Sequence, residues 1–130
     1  MTTTIERAWL VALWLAGGVH TAQACGVCIE DKMAATYDHA VLQQATTEGK
    51  VVVYCDVEGP ATALPKLKDA AIRTPGVAGD SVRVSSDPQA LSFMLDPRTH
   101  TVDEAVAAIA KAATGPWRIQ VIRVLPLRPS

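Results

Sequence analysis

The stretch Lys50-Val51-Val52-Val53-Tyr54-Cys55-Asp56-Val57 decides the fold of this 130-residue chain. It is rich in β-branched residues, and Glu58-Gly59-Pro60 interrupts it directly afterwards. Side chains alternate between the two faces of a strand. One face of this stretch is therefore Val51, Val53, Cys55 and Val57, and the other is Val52, Tyr54 and Asp56. The pattern predicts the clearest β-strand of the chain.

The elements after this strand follow from periodicity and from turn residues. Helical spacing of Leu64, Leu67 and Ala71 predicts a helix that ends near Thr74-Pro75-Gly76. Residues 81–85 and 91–95 alternate as short strands, and the turn 86–89 joins them in a hairpin. Thr101 begins a second helix in a sequence close to a capping box, and residues 117–125 form a last strand. The buried stripe of that second helix is Val102, Ala105, Val106, Ile109 and Ala113.

Residues 50–126 therefore run strand, helix, strand, strand, helix, strand. This order is the split βαβ arrangement of an α+β, ferredoxin-like sandwich, with two helices on one face of an antiparallel sheet. An extra helix over residues 25–48 is predicted ahead of it, from apolar residues at helical spacing. These residues are Ile29, Met33, Tyr37, Ala40 and Val41.

The first 24 residues have the pattern of a removable export signal. An apolar run over residues 8–19 follows Arg7, and Ala22-Gln23-Ala24 supplies the small-x-small pattern that a signal peptidase reads. The run is shorter than the roughly 20 apolar residues that span a bilayer. Ala22-Gln23-Ala24 also lacks the large aliphatic residue of lipidation signals. We therefore expect plain cleavage before Cys25, and a periplasmic or secreted protein.

Charge and cysteine content narrow the class of protein further. The net charge of −1 comes from interspersed signs without a basic stripe. This pattern argues against a nucleic-acid surface and against an electrostatic membrane anchor after signal cleavage. The three cysteines would lie in an oxidising compartment, where a reduced thiol pair needs a metal or a reductant to protect it.

Residues 50–113 resemble the heavy-metal-associated domain, the small module of copper chaperones and of metal-pumping ATPases. The resemblance lies in Val51-Val52-Val53-Tyr54-Cys55-Asp56-Val57-Glu58-Gly59, in the two helices, and in Leu91-Ser92-Phe93-Met94-Leu95-Asp96-Pro97. It implies the ferredoxin-like fold and, indirectly, metal binding. The family places a Met-x-Cys-x-x-Cys loop after its first strand, but this chain has Pro60-Ala61-Thr62-Ala63 there. Those ligands therefore do not carry over to the loop.

The Cys-x-x-Cys of this chain is Cys25-Gly26-Val27-Cys28, at the start of the predicted N-terminal helix. The helix macrodipole favours thiolates there, although Glu30 and Asp31 oppose the effect. Two thiolates three residues apart can chelate one soft ion. Only two ligands are evident, which favours low-coordinate Cu(I) over zinc, because zinc normally takes four. A thiol–disulfide pair remains the alternative.

Three further residues are candidate additional ligands. Cys55 is in phase with the apolar face of its strand and is expected to fill the core, unless the N-terminal helix brings it to the metal. Met33 fits the packing stripe of the N-terminal helix, where core packing is the simpler expectation. His39 lies eleven residues after Cys28, about 16 Å along one helix, too far for a shared ligand shell, so it is a candidate only for a second or an intermolecular site.

The sequence thus predicts an exported Cu(I)-binding protein that acts in metal carriage, sequestration or sensing rather than in catalysis. A metal-transport or redox protein is the expected partner. Two alternatives stay open. One is a thiol–disulfide protein that uses Cys25 and Cys28, although this pair does not follow a predicted β-strand. The other is a binding module whose cysteines form an inert disulfide and which carries no cofactor.

We predict that the exported protein begins at Cys25 with a free α-amine, because Ala22-Gln23-Ala24 follows the apolar run. The intact mass of protein recovered from the exported fraction checks this expectation. A mass that retains residues 1–24, or one that includes an added diacylglycerol, would contradict it.

Overall fold

Strand β1 (Val51–Glu58) lies inside a four-stranded antiparallel sheet and pairs with a neighbour on each side. The structure is a computed structural model and describes residues 29–127. The other strands are β2 (Arg83–Ser86), β3 (Gln89–Leu95) and β4 (Arg118–Leu125), and their order in the sheet is β2-β3-β1-β4. Val53 lies opposite Phe93 on one side and opposite Val124 on the other. Strands β2 and β3 form the predicted hairpin.

Four helices complete the described part of the chain. They are α1 (Ile29–Thr36), α2 (His39–Glu48), α3 (Leu64–Ile72) and α4 (Val102–Ala113). Helix α3 connects β1 to β2, and α4 connects β3 to β4. The fold is therefore α+β and ferredoxin-like, with added helical structure ahead of the βαββαβ unit, as the sequence predicts. The hydroxyl of Thr101 accepts a hydrogen bond from Glu104 N at 3.2 Å, which confirms the predicted cap of α4.

The larger core lies between one face of the sheet and helices α3 and α4. Strand β1 contributes its predicted face, and the two helices contribute the stripes expected from their spacing. The fully or largely buried members include Val51, Val53, Cys55, Val57, Leu64, Leu67, Ala71, Phe93, Ala105, Ile109 and Ala113. The alternation in β1 and the periodicity of both helices are thus confirmed.

A second core covers the opposite face of the sheet. Val52, Tyr54 and Met94 are buried there against Ala45 of α2, and Met33 packs at its margin. Complete burial of one such side chain stabilises a fold by about 1.5–3 kcal/mol relative to exposure. Helices α1 and α2 are therefore the layer that keeps this face of the sheet away from water, and the sheet lies between two helical layers.

The N-terminal region differs from the single helix expected over residues 25–48. Within its described part the helix is interrupted at Tyr37 and Asp38. The backbone of Asp38 is extended (φ −136°, ψ 113°), and its carboxylate accepts hydrogen bonds from Ala40 N at 3.0 Å and Val41 N at 3.3 Å. These bonds cap a new helix, α2. Tyr37 belongs to the apolar stripe of the predicted helix, but the interruption leaves it 47% exposed, so its place in a packed stripe is not confirmed.

The turn after β1 is closed by two side chains from distant parts of the chain. The Gln89 amide bridges the backbone of Gly59: Nε2 donates to Gly59 O at 3.0 Å, and Oε1 accepts from Gly59 N at 3.3 Å. The ring of Trp117 lies against the α-carbon of Gly59. A Cβ at this position would lie 3.1 Å from Trp117 Cδ2 and closer still to Cε3 and Cζ3. Glycine is therefore required here by close approach to the indole.

We predict that Gly59→Ala destabilises the protein by about 1–3 kcal/mol, the usual cost of forcing extra atoms into a packed site. The same substitution should cost clearly less in a Trp117→Ala background, because the overlapping ring is then gone. Urea unfolding of the four proteins in this cycle measures the difference. Equal costs in both backgrounds would contradict the packing that the structure shows.

Candidate metal site

The predicted ligands Cys25 and Cys28, and the predicted signal over residues 1–24, lie outside the described residues. Cys28 immediately precedes Ile29, the first residue of α1. The surroundings of the candidate site are therefore approached from α1, the first described element after the cysteine pair. The way in which this helix is held on the sheet decides how firmly the chain next to the cysteines is positioned.

Helix α1 is tied to the sheet by an ion pair near its middle. Lys32 Nζ lies 2.7 Å from Asp56 Oδ1 of β1, and both side chains are only about one-fifth exposed, at 21% and 19%. Lys32 thus points to the strand and not to the solvent. Removal of either partner would leave the other as a poorly solvated, unpaired charge, which is why such pairs are costly to break.

Two further polar contacts hold the chain where α1 ends. Ser92 Oγ of β3 donates a hydrogen bond to Thr36 O at 3.2 Å. Arg83 Nη2 of β2 donates to Asp38 Oδ2 at 3.1 Å. Asp38 therefore caps α2 with one carboxylate oxygen and binds β2 with the other. An Asp ahead of a helical run is a known cap signal, and it could have indicated this role.

The electrostatic surroundings of Asp38 favour its ionised form. The hydrogen bond from Val41 N and then the one from Arg83 hold the pKa of this carboxyl below its usual value of 3.8. A carboxyl with a depressed folded pKa contributes stability above its unfolded pKa, and that contribution is lost as the pH falls through the folded pKa. The junction between α1 and α2 is therefore expected to loosen only in acid, below the usual pKa of an aspartate.

Cys55 lies on the wrong side of the sheet to join a site near α1. Its side chain is fully buried in the core formed with α3 and α4, whereas α1 and α2 pack on the opposite face. Burial raises the pKa of the Cys55 thiol to about 12, and the Asp56 carboxylate adds to the rise. A neutral, enclosed thiol is a core residue rather than an accessible ligand.

The two other candidate ligands lie away from Cys55, on the side of the sheet that α1 and α2 cover. Met33 packs, half-buried, at the margin of the second core. His39 is exposed at the start of α2, where its Nδ1 lies 3.3 Å from the Tyr37 hydroxyl. No group of three or more His, Cys, Asp or Glu residues that could hold a metal ion occurs within residues 29–127.

The heavy-metal-associated family carries its ligands in the turn after the first strand. In this chain, that turn is fixed by packing contacts. Ala61–Ala63 form a 3₁₀ turn that leads directly into α3, and Pro65 lies in the first turn of that helix. The preceding Gly59 is held by Gln89 and Trp117. The turn contains no thiol, imidazole or carboxylate, so it offers no ligand for a soft metal.

Two buried hydroxyls lie where α1 meets the sheet. Tyr54 OH and Thr36 Oγ1 are both buried without a hydrogen-bond partner among the described residues. Burial raises the pKa of Tyr54, and the nearby Tyr37 and Asp38 add smaller contributions. A buried, unbonded hydroxyl costs about 1–3 kcal/mol. The interface that seats α1 is therefore apolar packing with fixed polar contacts at its edge, and not an extended polar network.

Comparison of the chain with protein-family models, with curated proteins and with solved structures finds no match in any of the three. Within residues 29–127, no helix has the length and apolar character needed to cross a membrane. The function of the protein is therefore inferred from the sequence and structure of this chain.

We predict that Cys55 resists alkylation in the folded protein. Burial raises the pKa of the Cys55 thiol to about 12, so the thiol is almost entirely protonated at pH 8, and the side chain is fully buried. The Cys25→Ser/Cys28→Ser variant leaves Cys55 as the single thiol, and mass spectrometry after iodoacetamide treatment measures its labelling. Labelling should require urea. Rapid labelling of the folded variant would place Cys55 outside the core.

Proposed function

We propose that this protein is an exported soft-metal-binding protein that holds Cu(I) between Cys25 and Cys28 and serves in metal carriage, sequestration or sensing. The observation that carries the proposal is the position of this pair in the chain. The two thiols come directly before a helix that is anchored on a complete fold, whereas the third thiol is enclosed in the core.

The chemistry of the pair favours a soft ion. Thiolates three residues apart can both reach one metal, and thiolate ligands favour the soft ions Cu(I) and Zn²⁺ over harder ions. Metal binding by thiols also releases protons, so affinity falls with pH. Zinc is the alternative ion, but a zinc site normally needs four ligands. Cys55 is not available as one of them, because it is buried on the other face of the sheet.

A carrier needs a thiol pair that is attached to the fold and that a partner can reach, and the anchoring of α1 supports the first of these requirements. Lys32, Thr36 and Asp38 fix the helix on β1, β3 and β2, respectively. The residues ahead of Ile29 are therefore attached to a rigid support. The second requirement arises because a carrier must give up its ion to a partner by ligand exchange, for which the partner's ligands must reach the metal.

The resemblance of residues 50–113 to heavy-metal-associated domains supports the same proposal from another direction. The family uses a ferredoxin-like module with a pair of cysteines for soft-metal transfer. In this chain the ligand pair would have moved from the turn after β1 to the segment ahead of α1. The proposed partner is accordingly a metal-transport protein.

A thiol–disulfide function is the second candidate, and it has the same residues in its favour. The Cys-x-x-Cys spacing at the start of a helix is also the arrangement that lowers a thiol pKa for disulfide exchange. The two functions predict different behaviour. A metal-binding protein binds Cu(I) when reduced, whereas a thiol–disulfide protein exchanges with a dithiol when oxidised.

We predict that the reduced protein binds one Cu(I) ion, and that Cys25→Ser and Cys28→Ser each abolish tight binding while Cys55→Ala leaves the affinity nearly unchanged. Competition with a chromophoric Cu(I) chelator under anaerobic conditions measures the affinities. Cys55→Ala is the matched control, because it removes the same functional group from the core.

Two results would decide against Cu(I) binding by this pair. If the variants at positions 25 and 28 bind Cu(I) as tightly as the unaltered protein, the metal hypothesis is wrong. If the oxidised protein in addition exchanges rapidly with a dithiol probe, the thiol–disulfide function replaces it.

A further inference from the structure

Strand β4 (Arg118–Leu125) lies at the edge of the sheet and is paired only with β1 among the described strands. Its outer edge extends over eight residues, whereas β2, at the opposite edge, has only four. The side chains of β4 are half-buried or exposed throughout. A long free edge presents backbone N–H and C=O groups that can pair with a further strand.

The two faces of β4 differ in chemistry. In an antiparallel pair, residues directly opposite one another share a face of the sheet. Ile119 and Val121 lie opposite Val57 and Cys55, on the α4 side. Arg118 and Arg123 lie opposite Glu58 and Tyr54, on the α1 and α2 side. The α4 side of the edge is therefore apolar, whereas the α1 and α2 side carries the two arginines together with Ile122 and Leu125, which pack against the second core.

The apolar side of this edge opens into a groove of about 580 Å³ between α4 and β4. Val106 and Ala110 of α4 line it from one side, and Trp117, Ile119 and Val121 line it from the other. A strand added to β4 would place every second side chain over this groove. Asp103 and Arg118 also line the groove, so their charges offset one another there, and the apolar residues between them favour an apolar side chain.

The two arginines of the edge are largely without ion-pair partners among the described residues. Arg123 is exposed and has no ion-pair or hydrogen-bond partner within residues 29–127. The guanidinium of Arg118 lies 3.8 Å from Glu58, but the two side chains are 82% and 64% exposed, so this pair is weak. Strand β4 contains no carboxylate to balance the two arginines.

We infer that β4 is a docking edge for an extended segment of another protein, in which acidic and apolar residues alternate. The segment would pair with the backbone of β4, place its acidic residues beside Arg118 and Arg123, and place its apolar residues over the groove beside α4. Pairing of β4 with a second copy of itself would gather four arginines at one seam, and the strand has no carboxylate to balance them, so the charges disfavour self-pairing. This inference does not depend on metal binding by the chain.

The probe is a blocked peptide of alternating Glu and Val residues, titrated into the ¹⁵N-labelled protein and followed by NMR. We expect the amide shifts to concentrate in residues 118–125 and the affinity to fall as salt is added. Arg118→Gln/Arg123→Gln should weaken binding roughly fivefold, since two exposed charge pairs contribute about 1 kcal/mol together. Arg98→Gln is the matched control, because Arg98 is exposed but lies in the turn after β3, and it should leave the affinity unchanged.

A second peptide tests the backbone pairing separately from the charge. N-methylation of every other residue keeps all side chains but removes donors for the ladder, and it should abolish the shifts in β4. The inference is overturned if the Glu–Val peptide causes no shifts, or if the shifts lie outside β4. It is also overturned if a Lys–Val peptide binds equally well, or if β4 shifts with protein concentration alone, which would indicate self-association.

Discussion

The burial of β1 on both faces is the constraint on which the rest of the structure depends. Residues 51–55 of this strand are all buried, so each face of the sheet needs its own cover. Helices α3 and α4 supply one cover as part of the ferredoxin-like unit, and the N-terminal helices α1 and α2 supply the other. The segment that follows Cys28 is therefore part of the packing of the domain and not an independent arm. The same constraint separates the thiols, because Cys55 faces α3 and α4 while the chain after Cys28 runs over the opposite face.

The second helical layer is held by few but specific interactions. Apolar packing of Val52, Tyr54 and Met94 supplies the stabilisation, and Lys32 and Asp38 fix the position through their ion pairs with β1 and β2. The unpartnered hydroxyls of Tyr54 and Thr36 act against this stabilisation. Helices α1 and α2 pack mainly on β1, β3 and β2. The arginines of the outer strand β4 are thus left exposed.

Much of the fold follows from local patterns in the sequence. The alternation from Val51 to Val57 indicates both faces of β1, and the spacing of Leu64, Leu67 and Ile109 indicates the buried sides of α3 and α4, because these periodicities need no distant partner. The break at Asp38 was not predicted, since apolar residues continue at helical spacing across it and its second partner, Arg83, lies 45 residues away. The phase of Cys55 and the two helices on one face of the sheet were predictable, but which face of β1 these helices cover was not. The candidate ligands Cys25 and Cys28 rest on their spacing alone, because they lie outside the described residues.

X-ray absorption at the copper K-edge tests ligation of Cu(I) by Cys25 and Cys28 directly. The protein is first loaded anaerobically with one equivalent of Cu(I). We expect a low-coordinate Cu(I) ion with sulfur neighbours only, because the two thiolates of Cys25 and Cys28 are its proposed ligands. The spectrum should be the same for Cys55→Ala, whose substituted side chain lies in the core on the other face of the sheet. A copper shell made of nitrogen and oxygen neighbours would contradict the proposed Cu(I) site. So would a sulfur shell that persists in Cys25→Ser/Cys28→Ser.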